Sequence, residues 1–144
     1  MLKPNGKVGR KIDELEIGER LHITETIEDK DLLLYLGLTN DSNPLYIQHD
    51  YAVDTPFGKP IVPTIMLNGI ITSAISKHMP GPGSNILEQH LIYSHPVYHY
   101  ETIEFTLQLE QIDEAKNRVE ISVQGYNAQK QSIVEGILKV SPPY

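Results

Sequence analysis

Pro60-Ile61-Val62-Pro63-Thr64-Ile65-Met66-Leu67-Asn68-Gly69-Ile70-Ile71-Thr72-Ser73-Ala74-Ile75-Ser76 is the stretch that decides the architecture. It carries no charge between Lys59 and Lys77 and is apolar on nearly every side of a helical wheel. A helix of that kind has to be enclosed by other elements. A membrane span needs about 20 predominantly apolar residues. This run is shorter, opens with Pro60 and Pro63, and holds Asn68, Thr72 and Ser73, so it reads as a buried core helix. Pro63 suits a first helical turn, where its missing N–H has no intrahelical partner to lose. Ala74 to Lys77 and the Met79-Pro80-Gly81-Pro82-Gly83 run end it.

Outward from that helix, the C-terminal half supplies the enclosure. Ile86 to Tyr93, Thr102 to Gln111, Arg118 to Tyr126 and Ser132 to Val140 have strand character at hairpin spacing. Val119, Ile121 and Val123 alternate with Glu120, Ser122 and Gln124, the pattern of a sheet with one buried and one wet face. On the N-terminal side, Arg20 to Ile27 alternates as a first strand, with Leu21 and Ile23 opposite in phase to His22 and Thr24. Asp29 to Leu38 places Leu32, Leu33, Tyr35 and Leu36 on one helical stripe, and Gln48 to Val53 reads as a short helix. The expected fold is α+β: a five-stranded antiparallel sheet wrapped around one long helix, the hot-dog architecture. Its edge strands need protection, and pairing between two copies into a continuous sheet predicts a homodimer.

A chain of 144 residues makes one domain, expected as an N-terminal arm over residues 1–18 and a single domain over 19–144. Ile12, Leu15 and Ile17 are expected to tack the arm down, and Lys3, Lys7, Arg10 and Lys11 to form a solvated basic tail. Cysteine is absent, which excludes disulfides, thiolate zinc sites and a cysteine nucleophile and fits a reducing compartment, the cytoplasm by default. Met1 to Lys11 does not resemble a signal peptide, and no membrane association is expected. A net charge of −7 argues against nucleic acid as a partner, because that affinity rests on clustered Lys and Arg. His95 and His99 have a four-residue separation that brings ligands together on a helix, but Pro96 breaks an extended segment there, so no metal is expected.

Tyr35-Leu36-Gly37-Leu38-Thr39-Asn40-Asp41-Ser42-Asn43-Pro44-Leu45-Tyr46-Ile47-Gln48-His49-Asp50-Tyr51-Ala52 resembles the hydratase motif of the MaoC-like family, which includes the (R)-specific enoyl-CoA hydratases. That motif is an aromatic residue, then small-Gly-Asp-x-Asn-Pro-aliphatic-His, with an alanine six residues on. The resemblance continues through Gly58 to Val62, the central helix, Pro80 to Ser84, and His95-Pro96-Val97-Tyr98. It implies that Asp41, with a histidine five residues later, holds one water for addition to an enoyl thioester. It further implies that backbone N–H groups at the start of the buried helix polarise the thioester carbonyl, at Pro63-Thr64 where the family usually has His-Gly. Asn43, Thr64, Ile65 and Thr72 are the implied substrate-binding residues, Asp41 and Tyr46 the catalytic ones; no cofactor is implied.

Two departures stand out: Tyr46 occupies the histidine position, and Asn40 stands where glycine is expected. A positioned acid or base contributes about 10²- to 10⁴-fold. A phenol of ordinary pKa near 10 replaces an imidazole near 6.5 poorly as a base, though it serves as a donor. Read without the family, Asp41, Ser42 and Asn43 are Asx-turn residues before Pro44, Tyr46 is packing, and His49 is a surface histidine. Three functions follow: a hydratase or dehydratase of 2-enoyl or (R)-3-hydroxyacyl thioesters on CoA or acyl-carrier protein; a catalytically weakened thioester-binding subunit or sensor, paired with a catalytic homologue; and an acyl thioesterase. Val62, Ile65, Met66 and Ile70 suit an apolar acyl tunnel with Asp41 at its mouth, and equally a core helix.

Overall fold

The computed structural model of the chain describes residues 8–144. Five strands, β1 (Arg20–Thr26), β2 (Asn85–Ile92), β3 (Thr102–Asp113), β4 (Arg118–Tyr126) and β5 (Ser132–Ser141), form one sheet in the order β1-β3-β4-β5-β2. Every neighbouring pair is antiparallel. The helices are α1 (Asp29–Thr39), α2 (Pro44–Ile47), α3 (His49–Ala52) and α4 (Thr64–Lys77). The alternation read in β4 is realised: Val119, Ile121 and Val123 are buried, and so are Ile103, Phe105, Leu107 and Leu109 of β3. These close over Leu67, Ile71, Ala74 and Ile75 of α4, so sheet and helix share one core.

Enclosure of α4 is nevertheless one-sided. Ile71 and Ile75 are fully buried, whereas Ile65 is 51% exposed and Thr64, Gly69, Thr72 and Ser76 face outward. A curved sheet of five strands covers one face of a helix, and the apolar residues of the other face are left for something else to cover. Pro63 is also displaced from its expected place in the first turn. It is the residue before the helix, extended at φ −56° and ψ 133°, and the Val62 N–H ahead of it donates to Val97 O at 2.7 Å.

The helix expected from Gln48 to Val53 is instead two single turns, α2 and α3, separated by an extended Gln48. Asn43 and Pro44 explain the earlier start. Proline sits at the first helical position and the Asn43 side-chain oxygen accepts Leu45 N–H at 3.0 Å, a cap with its preferred residue type. In the N-terminal segment Leu15 is buried and Ile12 packs on the core margin, but Ile17 is 65% exposed and holds nothing down. Arg10 is not a solvated cation: its guanidinium pairs with Glu19 at 2.5 Å while its backbone N–H bonds Pro80 O. Lys3 and Lys7 lie outside the described residues. No described helix is long and apolar enough to cross a membrane.

Candidate active site

The site begins where α1 stops. Asn40 terminates the helix in the left-handed region, φ 55° and ψ 28°, with its N–H returned to Leu36 O at 2.8 Å. Glycine is the usual residue for that conformation and asparagine the best substitute, which accounts for Asn40 in the motif's glycine position. The reversal turns Asp41 back over the helix it follows. Asp41 Oδ2 accepts the Tyr35 hydroxyl at 2.6 Å and Oδ1 accepts Asn43 N–H at 3.0 Å. Tyr35 is thereby a part of the site that the sequence reading passed over; its signal was its place as the motif's aromatic residue, on the last turns of α1.

The Tyr35 hydroxyl, and after it the Asn43 N–H, hold the Asp41 carboxyl below the ordinary carboxylate range, against an opposing effect of burial. The same bond pushes the Tyr35 phenol above its usual value. Asp41 is thus an oriented anion at neutral pH. Its preference for the charged form is present above the ordinary carboxylate pKa and is lost as pH falls through the depressed one. In Tyr35→Phe the Asp41 carboxyl titrates at higher pH, toward its ordinary range, in a carbon-detected NMR titration; an unmoved titration would remove Tyr35 from the site.

Three short contacts bring this turn to the lead-in of α4. Leu45 O accepts Ile61 N–H at 3.2 Å, Val97 O accepts Val62 N–H at 2.7 Å, and Ile61 bridges Tyr98. All three pieces of the motif match therefore meet just ahead of Thr64. Thr64, Ile65 and Thr72 lie together on the open face of α4, Thr72 donating to Asn68 Oδ1 at 3.3 Å. Asn43 lies in the turn, its side-chain oxygen engaged in capping α2.

Asp41 is in the wall of none of the five best-formed cavities on the described residues. Met66 and Ile70 line one of about 350 Å³. Tyr46 lines another, of about 530 Å³, together with His49, Lys59 and His99. The apolar tunnel expected with Asp41 at its mouth is not among these cavities. No group of three metal-ligating side chains occurs among the described residues. His95 Nδ1 is engaged with Ser132 O at 2.8 Å.

This arrangement is shared with solved structures. The R-hydratase PhaJ1 of Pseudomonas aeruginosa superposes with a TM-score of 0.86 at 28% identity, over 94% of this chain and 86% of that one. The (R)-hydratase of A. caviae involved in PHA biosynthesis gives 0.85 at 23% identity, over 90% of this chain and 98% of that one. The fold is therefore the hot-dog fold. A family model for the MaoC like domain matches residues 13–131, and the chain belongs to the MaoC-like dehydratase family. The (R)-specific enoyl-CoA hydratase of Rhodospirillum rubrum is 30% identical over 95 residues, 66% of this chain and 66% of that protein. The tomato (Solanum lycopersicum) mitochondrial 3-hydroxyacyl-[acyl-carrier-protein] dehydratase FERN is 32% identical over 104 residues, 72% of this chain and 62% of that protein. These matches span about two thirds of the relatives' lengths.

Proposed function

We propose that the protein hydrates 2-enoyl thioesters and dehydrates (R)-3-hydroxyacyl thioesters carried on CoA or acyl-carrier protein. The observation that carries this reading is the Asp41 carboxylate, oriented from both sides by Tyr35 and Asn43 in a MaoC-like chain and tied through Leu45 and Ile61 to the lead-in of α4. Asp41 accepts one O–H of a water and directs its oxygen at C3. Tyr46, in the histidine position, is a hydrogen-bond donor beside that water. The Thr64 N–H, one of the donors that the first turn of a helix leaves unbonded, receives the thioester oxygen as charge develops there. Ile65 and Thr72, on the same face, contact the acyl group.

Purified protein supplied with crotonyl-CoA should bleach the conjugated thioester absorbance, and Tyr46→His should raise the rate. Tyr46 also favours a second reading, a thioester-binding subunit without proton transfer. Tight acyl-CoA binding with no turnover by either form would establish that reading and remove the first.

The open face of α4 and the two unpaired sheet edges support a homodimer, in which the partner copy covers the apolar residues that one chain leaves exposed. Sedimentation should give twice the chain mass; a monomer at micromolar concentration would sink the idea. A cysteine-free sequence suits the cytoplasm as the setting.

A further inference from the structure

We propose that the protein takes its thioester on CoA, and that it holds the adenine nucleotide of that carrier on a ridge formed by Lys59, Tyr98 and Tyr100. This rests on the hydratase reading above and deepens it, by choosing between the two carriers.

Lys59, Tyr98 and Tyr100 stand in the walls of two cavities at once. The first, of about 530 Å³, reaches Tyr46 and Pro60 and is apolar along Leu32, Leu36 and Ile47. The second, of about 670 Å³, is lined by the polar side chains of His95, Gln129 and Gln131. Neither has Asp41, Thr64, Ile65 or Thr72 in its wall, so the part of the substrate that fits here is a part that does not react. Thr64 follows Lys59 by five residues, at most about 18 Å of fully extended chain. A thioester held at the Thr64 N–H therefore has the ridge within reach of its carrier arm.

The ridge is fastened from behind, which leaves its outer faces free. The Tyr98 hydroxyl donates to Phe57 O at 2.8 Å, its N–H donates to Glu101 Oε1 at 2.8 Å, and its backbone is bridged to Ile61. Lys59 Nζ stands 4.8 Å from the Tyr98 ring centroid, within cation–π range. Lys59 is in no ion pair among the described residues, so its charge is available to a phosphate. Glu101, the acidic residue on the second wall, already accepts the Tyr98 N–H.

Tyr100 is 58% exposed and adopts φ 68°, its N–H donating to Ile27 O at 2.8 Å. That left-handed conformation costs a bulky aromatic residue energy where glycine or asparagine would serve, and strain of this kind clusters at ligand sites. An exposed aromatic ring beside a free ammonium suits a nucleotide. The base stacks on the ring, and the phosphate meets the cation. Gln129 and Gln131, in the same wall as Tyr100, carry both donors and acceptors for the edge of a base. CoA and acyl-carrier protein present the same phosphopantetheine arm to an enzyme, but only CoA ends in an adenine nucleotide.

The test compares hydration of crotonyl-CoA with that of crotonyl-pantetheine, the same thioester without the nucleotide. Wild type should show a KM about 10-fold or more lower for crotonyl-CoA at similar kcat, the gain expected of one base–aromatic stack. Adenosine bisphosphate, the nucleotide end of CoA, should compete with crotonyl-CoA and bind saturably in calorimetry. Tyr100→Asn keeps a residue suited to the left-handed region, so the fold is preserved. It should raise KM for crotonyl-CoA about 10-fold without raising KM for crotonyl-pantetheine, a split that a merely structural tyrosine would not give. Lys59→Ala should flatten the rise of KM for crotonyl-CoA with salt.

A wild type that hydrates both thioesters with equal KM would overturn the nucleotide site and leave the hydratase reading standing. So would a lower KM for crotonyl-carrier protein than for crotonyl-CoA, or nucleotide binding that does not compete with crotonyl-CoA. A wild type that turns over neither thioester but binds adenosine bisphosphate, with that binding lost in Tyr100→Asn, would overturn the hydratase reading and support the site. Absence of both turnover and nucleotide binding would overturn both. The wild-type comparisons decide the matter even if a variant folds poorly.

Discussion

Asp41→Ala lowers crotonyl-CoA turnover by about 10²- to 10⁴-fold, the contribution of a positioned proton-handling group, with secondary structure unchanged by circular dichroism. The effect is large because the side chain is both charged and pre-oriented. Tyr35 and Asn43 each spend one hydrogen bond on it, so the carboxylate need not reorganise when the substrate arrives. Those donors also lower its basicity, which suits it to holding a water more than to keeping its proton. Asp41→Asn separates the two contributions. The amide keeps one acceptor oxygen, enough for the Asn43 N–H that fixes the turn, and turns its NH2 to the Tyr35 hydroxyl oxygen while removing the charge, so a loss close to that of alanine assigns the effect to the anion. Activity of Asp41→Ala within a few-fold of wild type would show that water is handled elsewhere.

The largest effect on stability is expected at a residue with no chemistry. In Gly136→Ala the new Cβ would stand 1.9 Å from His90 O and 3.0 Å from Leu91 Cα, backbone atoms of the strand next to it. Gly136 pairs with Leu91, so β2 has to move away from β5 or the substitution cannot be accommodated. We expect a loss of about 3 to 5 kcal/mol, in the range kept for backbone and packing failures, and a Tm lower by on the order of 10 °C. Gly37→Ala is the control. No atom lies within 4 Å of a Cβ built there, in α1, and the replacement should stabilise by about 0.5 to 1 kcal/mol. A Gly136→Ala protein as stable as wild type would mean that the β2–β5 approach is looser than described here.

Particular residues show why sequence reading reached as far as it did. Alternation in β4 and the uncharged run in α4 are local patterns, and each specifies which side of its own element avoids water. The motif turn was legible for a similar reason. Asp41, Asn43 and Pro44 bond their neighbours within a few positions, so their type and spacing carry the geometry. The Asx-turn reading and the family reading of these residues are not rivals, since the turn is what aims the carboxylate. By contrast, the one-sided cover of α4 could not be seen in its composition, because how many faces a sheet reaches depends on its curvature and length. The pairing of Arg10 with Glu19 likewise needed the chain to run alongside Pro80 and Pro82.

The sequence by itself determined the elements, the α+β class, the family and the polar turn, because each is written in residues close together along the chain. Only the tertiary structure decided that Tyr35 steers Asp41, that Tyr46 and His99 line one cavity, and that one face of α4 stays open. These last two depend on segments far apart in the chain, Tyr46 and His99 above all, and the approach of distant segments is set by packing of the whole core, which no local pattern records.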